Sequence, residues 1–86
     1  MIMGVFSVFD RAAGAYLRPF FFPRPGEAVR AFQDLVNDDT TQFHRHAEDY
    51  VLFHIGDYDD STGVLTSKEI LSVLAKGHEL KVDGAL

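Results

Sequence analysis

The chain has no cysteine. That removes two ways of holding a small domain together, a disulfide framework and a thiolate zinc site. A reducing cytoplasm suits such a sequence. It also has no apolar run long enough to cross a bilayer. Met1 to Phe9 is apolar, but it has no basic leader and meets Asp10-Arg11 at once, so a strand is expected there rather than a membrane span or signal peptide. No nucleophile elbow, phosphate-binding glycine loop, dinucleotide motif or paired acid–base site is present, so the expectation is a protein that is not an enzyme and needs no cofactor. Internal repeats, low-complexity blocks and interdomain linkers are missing as well.

Positive charge is scarce too: eight Lys and Arg stand against 13 Asp and Glu, a net charge of −5. That argues against a plain electrostatic DNA sleeve, and the distribution matters more than the sum. Between residues 11 and 30, Arg11, Arg18, Arg24 and Arg30 oppose only Glu27. Between residues 46 and 86, three lysines oppose eight carboxylates. The early part is basic and the late part acidic.

What is present is a heavy aromatic load, eight Phe and three Tyr in 86 residues, with 47% hydrophobic residues overall. A single domain over residues 1–86 can bury one modest core, so some rings must stay exposed or meet a second copy, and a homodimer is expected. Ile2 to Phe9 reads as a strand, Asp10 to Gly14 as a hairpin connection, and Ala15 to Phe22 as a second strand. Pro19 cannot donate a ladder hydrogen bond, which puts that strand at an edge or ends it early. Pro23-Arg24-Pro25-Gly26 stops it.

From Gly26 to Asn37, Ala28, Val29, Phe32, Leu35 and Val36 fall at helical spacing, with Glu27–Arg30 and Arg30–Asp34 able to pair on the outer side. Phe43 to Asp49 reads as a short helical turn or irregular link anchored by Phe43. Tyr50 to Ile55 is a β-branched and aromatic strand, the stretch from Gly56 to Gly63 an acidic turn, and Val64-Leu65-Thr66 a further strand. Ser67 to Gly77 opens on a serine cap and closes on glycine, which predicts a short C-terminal helix. Residues 78–86 read as a frayed tail or a last short strand. The fold class is α+β, in the order ββαββα: an antiparallel sheet of about four strands with the main helix on one face.

Three groups of residues bear on chemistry. Strict alternation from Ala15 to Phe22 puts Tyr16, Arg18, Phe20 and Phe22 on one face, with Arg11, Arg24 and Arg30 nearby. Single-stranded nucleic acid needs such cations for its phosphates and flat rings for its bases. The same phenylalanines would serve as core or dimer interface, with the arginines as a soluble rim. The second group, Asp57, Asp59 and Asp60, does not fit a calcium loop: counted from Asp57, the required glycine and glutamate positions hold Thr62 and Lys68. A hairpin turn with aspartates bonding nearby amides is the expected role. The third group is His44, His46 and His54. His-x-His on an extended segment would suit a transition metal, but a helical turn around Arg45 would splay the rings apart, so no metal site is expected. These histidines and Arg45 are instead candidates for touching phosphates or bases.

The order of motifs carries a resemblance. Val8 to Tyr16 with Pro19-Phe20, Gly26 to Phe32 with Leu35-Val36-Asn37, and His46-Ala47-Glu48-Asp49-Tyr50 followed by Leu52, Ile55-Gly56, Asp59-Asp60 and Thr62-Gly63 together resemble the small nonstructural protein of gokushovirus-type microviruses. These are tailless bacteriophages with circular single-stranded DNA. The likeness covers about the first two-thirds of the chain. It implies a DNA-binding or replication-associated protein in the cytoplasm of the bacterial host, assisting the switch to single-stranded progeny synthesis. The implied partners are single-stranded DNA and phage or host replication proteins, and the nucleic-acid-binding candidates are Arg11, Tyr16, Arg18, Phe20, Phe22, Arg24, Arg30, His44, Arg45 and His46. A protein–protein adaptor that binds a replication initiator or host factor without touching DNA is the alternative.

Overall fold

The computed structural model describes residues 1–82. The first strand, β1 (Ile2–Asp10), runs into a tight turn. There the Asp10 carboxylate accepts hydrogen bonds from the Ala12 and Ala13 amides, and Gly14 takes φ 66°. A side chain at Gly14 would be strained, which is why glycine closes the turn. The chain returns along β1 as two short pieces, β2 (Ala15–Tyr16) and β3 (Phe20–Phe22). It then enters the main helix, α1 (Pro25–Val36), with proline in its first turn.

Two short turns follow, the helical α2 (Gln42–Arg45) and a 3-10 turn (Ala47–Asp49). The long hairpin β4 (Tyr50–Asp59) and β5 (Val64–Lys76) and the single turn α3 (Gly77–Leu80) complete the described chain. The sheet is antiparallel throughout, in the order β2-β1-β4-β5, with β3 continuing the β2 edge. The expected α+β architecture, with a main helix and a short C-terminal helix, is the one observed.

The core lies between α1 and one face of the sheet. Ala28, Phe32 and Val36 of α1 meet Phe6 and Val8 of β1, Tyr50 and Leu52 of β4, and Ala75 of β5. Each large apolar side chain sealed there contributes roughly 1.5–3 kcal/mol. Leu35, expected in the same stripe, is 41% exposed on the flank of the helix. Phe43 anchors α2 as expected, packing on Phe32 and Tyr50 with ring centroids 6.3 and 4.7 Å away.

Two expectations need correction. Residues 67–76 of the expected helix are strand, because β5 pairs with β4 between Val64 and Lys76, and Gly77 instead opens α3. Helical capping signals were outweighed there by long-range pairing, the common way in which tertiary context overrides local preference. Residues 78–82 are not frayed either. The Asn37 amide donates to the Leu80 carbonyl at 3.1 Å, and the Val82 amide donates to Asn37 at 2.7 Å. Residues 83–86 of the expected tail lie outside the described residues.

The helix covers only part of the sheet. The radius of gyration is 13.6 Å, against about 12 Å for a compact chain of this length. The β4–β5 hairpin carries the exposed apolar residues Val64, Leu65 and Ile70.

Candidate nucleic-acid interface

The β2–β3 edge carries the residues that the sequence singles out, but it splits them between faces. Phe9 pairs with Tyr16, whereas Phe6 pairs with Phe20. Three steps along β1 thus answer four along the edge, so one extra residue is accommodated between Leu17 and Phe20. An inserted residue reverses the alternation beyond it. Strict alternation would have kept Tyr16, Arg18, Phe20 and Phe22 on one face; the structure does not. Tyr16 projects to the face opposite the helix, while Phe20 and Phe22 turn inward and pack against the core. Pro19 is the physical cause, since it has no amide to continue the ladder. Ser7 ties the irregular segment down: its buried hydroxyl donates to the Leu17 carbonyl at 2.6 Å.

The arginines follow this edge. Arg11 lies in the β1–β2 turn, Arg18 between β2 and β3, Arg24 at the start of α1 and Arg30 on its outer side. All four are exposed. None lies within 4.0 Å of a carboxylate among the described residues, so the expected Glu27–Arg30 and Arg30–Asp34 pairs are not formed. From Ala15 to Phe22 the edge runs on the order of 25 Å. It therefore presents a row of unpaired guanidinium groups rather than a point.

The 44–46 segment is less uniform. Thr41 caps α2 by accepting the His44 amide, and the His44 ring is drawn inward, with Nδ1 3.0 Å from the Val36 carbonyl oxygen. His46 is exposed, but its ring shares a turn with Glu48 and Asp49, the ligand-capable atoms of all three lying within 4.8 Å of one another. His46 and Glu48 are open to solvent and Asp49 is half-buried, and exposed acids are often so placed without any ion. In this segment Arg45 is exposed and has no carboxylate within 4.0 Å among the described residues. The Arg11 amide donates to the Asp49 carbonyl at 2.8 Å, which brings this turn against the Arg11 end of the basic edge.

His54 lies elsewhere, on the helix side of β4. Its Nε2 is 2.9 Å from the Gly56 carbonyl and 3.4 Å from the Asp57 carboxylate, and its ring packs 4.8 Å from that of Phe6. Tyr50 is likewise a core residue at the start of β4. Burial pushes the phenol pKa up, and the carboxylates of Asp10 and Asp49 push it further.

The acidic turn does what its aspartates and glycine suggest. Asp59 accepts the Ser61 amide through its carboxylate at 2.9 Å and the Gly63 amide through its carbonyl at 2.7 Å, and Gly63 takes φ 77°. Asp60 is engaged by the terminal amine of Met1 at 2.7 Å.

Four rings that the sequence does not single out belong to the edge and the face beside it. Phe9 and Phe53 flank Tyr16 at centroid distances of 4.8 and 5.5 Å, and Phe21 meets Tyr58 at 5.6 Å. Strand alternation would have aligned Phe53 with Val51, and Phe9 with Ser7. Their gathering around Tyr16 depends on strand order, which alternation does not contain.

A small α+β protein with a cationic sheet edge, an aromatic open face and an acidic hairpin turn is thus defined. The chain belongs to the family described as phage ORF5 protein, whose model matches residues 3–80. It is a bacteriophage protein. No match to a curated protein or to a solved structure was found. Among the described residues no helix is long and apolar enough to cross a membrane.

Proposed function

We propose that this phage protein binds single-stranded DNA in the bacterial cytoplasm during genome replication, as the resemblance to the gokushovirus nonstructural protein implies, without catalysing a reaction. The observation that carries this reading is the row of Arg11, Arg18, Arg24 and Arg30, all exposed and without a carboxylate partner among the described residues, beside the exposed ring of Tyr16. Guanidinium groups take the phosphates and aromatic rings take the bases, a combination that needs no sequence preference. Separation of charge by face supports the role despite a net −5: Asp57 and Asp59 lie on the helix side of the sheet, and Asp60 is already engaged by the Met1 amine. Binding would hold the progeny strand single and deliver it to the replication machinery. Titration of a labelled oligothymidine at low and moderate salt tests this. Absence of binding up to about 100 µM at low salt would exclude it, since nonspecific binders reach that strength.

A second reading, a protein–protein adaptor for a phage replication initiator or host factor, is favoured by one observation. Ile2, Val64, Leu65 and Ile70 are 57%, 56%, 63% and 84% exposed around the uncovered part of the hairpin. Exposed apolar side chains gathered on one element mark contact surfaces, a homodimer among them. Co-precipitation of the phage initiator after nuclease treatment, with no oligonucleotide binding, would make this the better account.

A further inference from the structure

The paired registers sort the paired strand positions to one face or the other. On the helix side lie Phe6, Val8 and Leu52, and with them the acids Asp10, Asp57 and Asp59. The contact between Asp57 and His54, which stacks on Phe6, places that carboxylate on the covered side directly. On the open face, no paired position of any strand carries an acid, and Lys76 is the one charged residue among them. The paired positions of this face thus hold none of the 13 carboxylates of the chain. The arginine-bearing β2–β3 edge borders this face.

We infer that DNA bases stack on the open face of the sheet at two aromatic stations, Tyr16 with Phe9 and Phe53, and Phe21 with Tyr58. This rests on the single-stranded DNA reading above and gives it a face and residues. Tyr16 is 45% and Phe21 43% exposed, so each station presents an accessible ring braced edge-to-face by a neighbour. Tyr16 lies opposite Phe9 and Phe21 opposite Val5, four residues along β1, or about 13 Å. A segment at the short end of the usual site sizes, about 4–16 nucleotides, spans both stations.

Beside the second station is a hollow of ≈ 190 Å³ lined by Val5, Ile55, Gly56, Leu65, Thr66 and Ser67. That is below the roughly 300 Å³ at which drug-sized ligand sites begin, so it suits one flat ring rather than a larger cofactor. Phosphates of the same strand then follow Arg18 and Arg24 on the bordering edge. Phe20 and Phe22, which turn inward, take no base.

The chain contains its own reporters. It has three tyrosines and no tryptophan; Tyr16 and Tyr58 project from the open face, whereas Tyr50 is buried. Titration of the full chain with an oligothymidine of about 16 nucleotides should quench the emission of the two outer tyrosines. Phe53→Leu and Tyr58→Leu should each weaken binding roughly five-fold or more while keeping the salt dependence, and Leu35→Ala, on the helix, should leave it unchanged. Circular dichroism of each variant confirms folding.

Normal salt-dependent binding without quenching, and with Tyr16→Leu and Tyr58→Leu at wild-type affinity, overturns the stacking face and leaves the DNA reading standing. If Tyr58→Leu instead changes the sedimentation coefficient but not DNA affinity, the face belongs to a second copy and the inference fails. No binding by the wild-type chain strikes the DNA reading itself, and the inference with it.

Discussion

Replacing Arg18 with alanine should reduce the salt dependence of DNA binding by a defined amount. Arg11, Arg18, Arg24 and Arg30 are four exposed cations without partners among the described residues, so these four side chains neutralise at most four phosphates. For single strands the logarithmic salt slope is about −0.7 per neutralised phosphate, so four contacts give about −2.8. Between 50 and 200 mM salt that slope lowers affinity about 50-fold. Removing Arg18 leaves about −2.1, and the loss over the same interval falls to about 20-fold. Anisotropy of a labelled oligothymidine at several salt concentrations measures both slopes. Ring stacking contributes a salt-independent offset, so the slopes isolate the arginines from the aromatic residues. An unchanged slope in Arg18→Ala, or a wild-type slope near zero, would refute the phosphate-binding edge.

Other perturbations follow from the packing. Phe32, 1% exposed between α1 and the sheet, should cost about 3–5 kcal/mol on replacement by alanine, read from the urea midpoint. Ser7→Ala leaves the Leu17 carbonyl without the hydroxyl that now reaches it at 2.6 Å. A loss of about 1–3 kcal/mol is expected, with faster amide exchange along β2 and β3. The Asp38 carboxyl is held below its ordinary value of 3.8 by the Thr40 hydroxyl and then the Thr40 amide. A depressed carboxyl stabilises the fold fully above the unfolded value, and that contribution is lost as pH falls through the folded one. Carboxyl NMR titration should show the depression, and Thr40→Val should move the midpoint back up.

Much of this molecule was legible before any coordinates. The stripe of Ala28, Phe32 and Val36 identifies α1 because helical periodicity is a local property. Asp10 to Gly14 and Asp59 to Gly63 identify both hairpin turns because aspartate and glycine act within a few residues of themselves. The basic early segment and the acidic late one were equally plain, being matters of composition. In the candidate site, the four arginines could be named from the chain, but the ring set could not.

What the sequence determined by itself is thus whatever depends on near neighbours: the main helix, the two turns, the edge character of the strand containing Pro19, and the division of charge. Tertiary structure alone decided the rest. Ser67 to Gly77 carries helix-like ends, yet most of it is strand, because hydrogen bonding to β4 acts between distant residues. Phe20 and Phe22 exchanged faces with respect to Tyr16 because a single inserted residue inverts every side chain beyond it. Phe53 and Tyr58 joined the open face only through strand order and register, which no periodicity within one segment encodes.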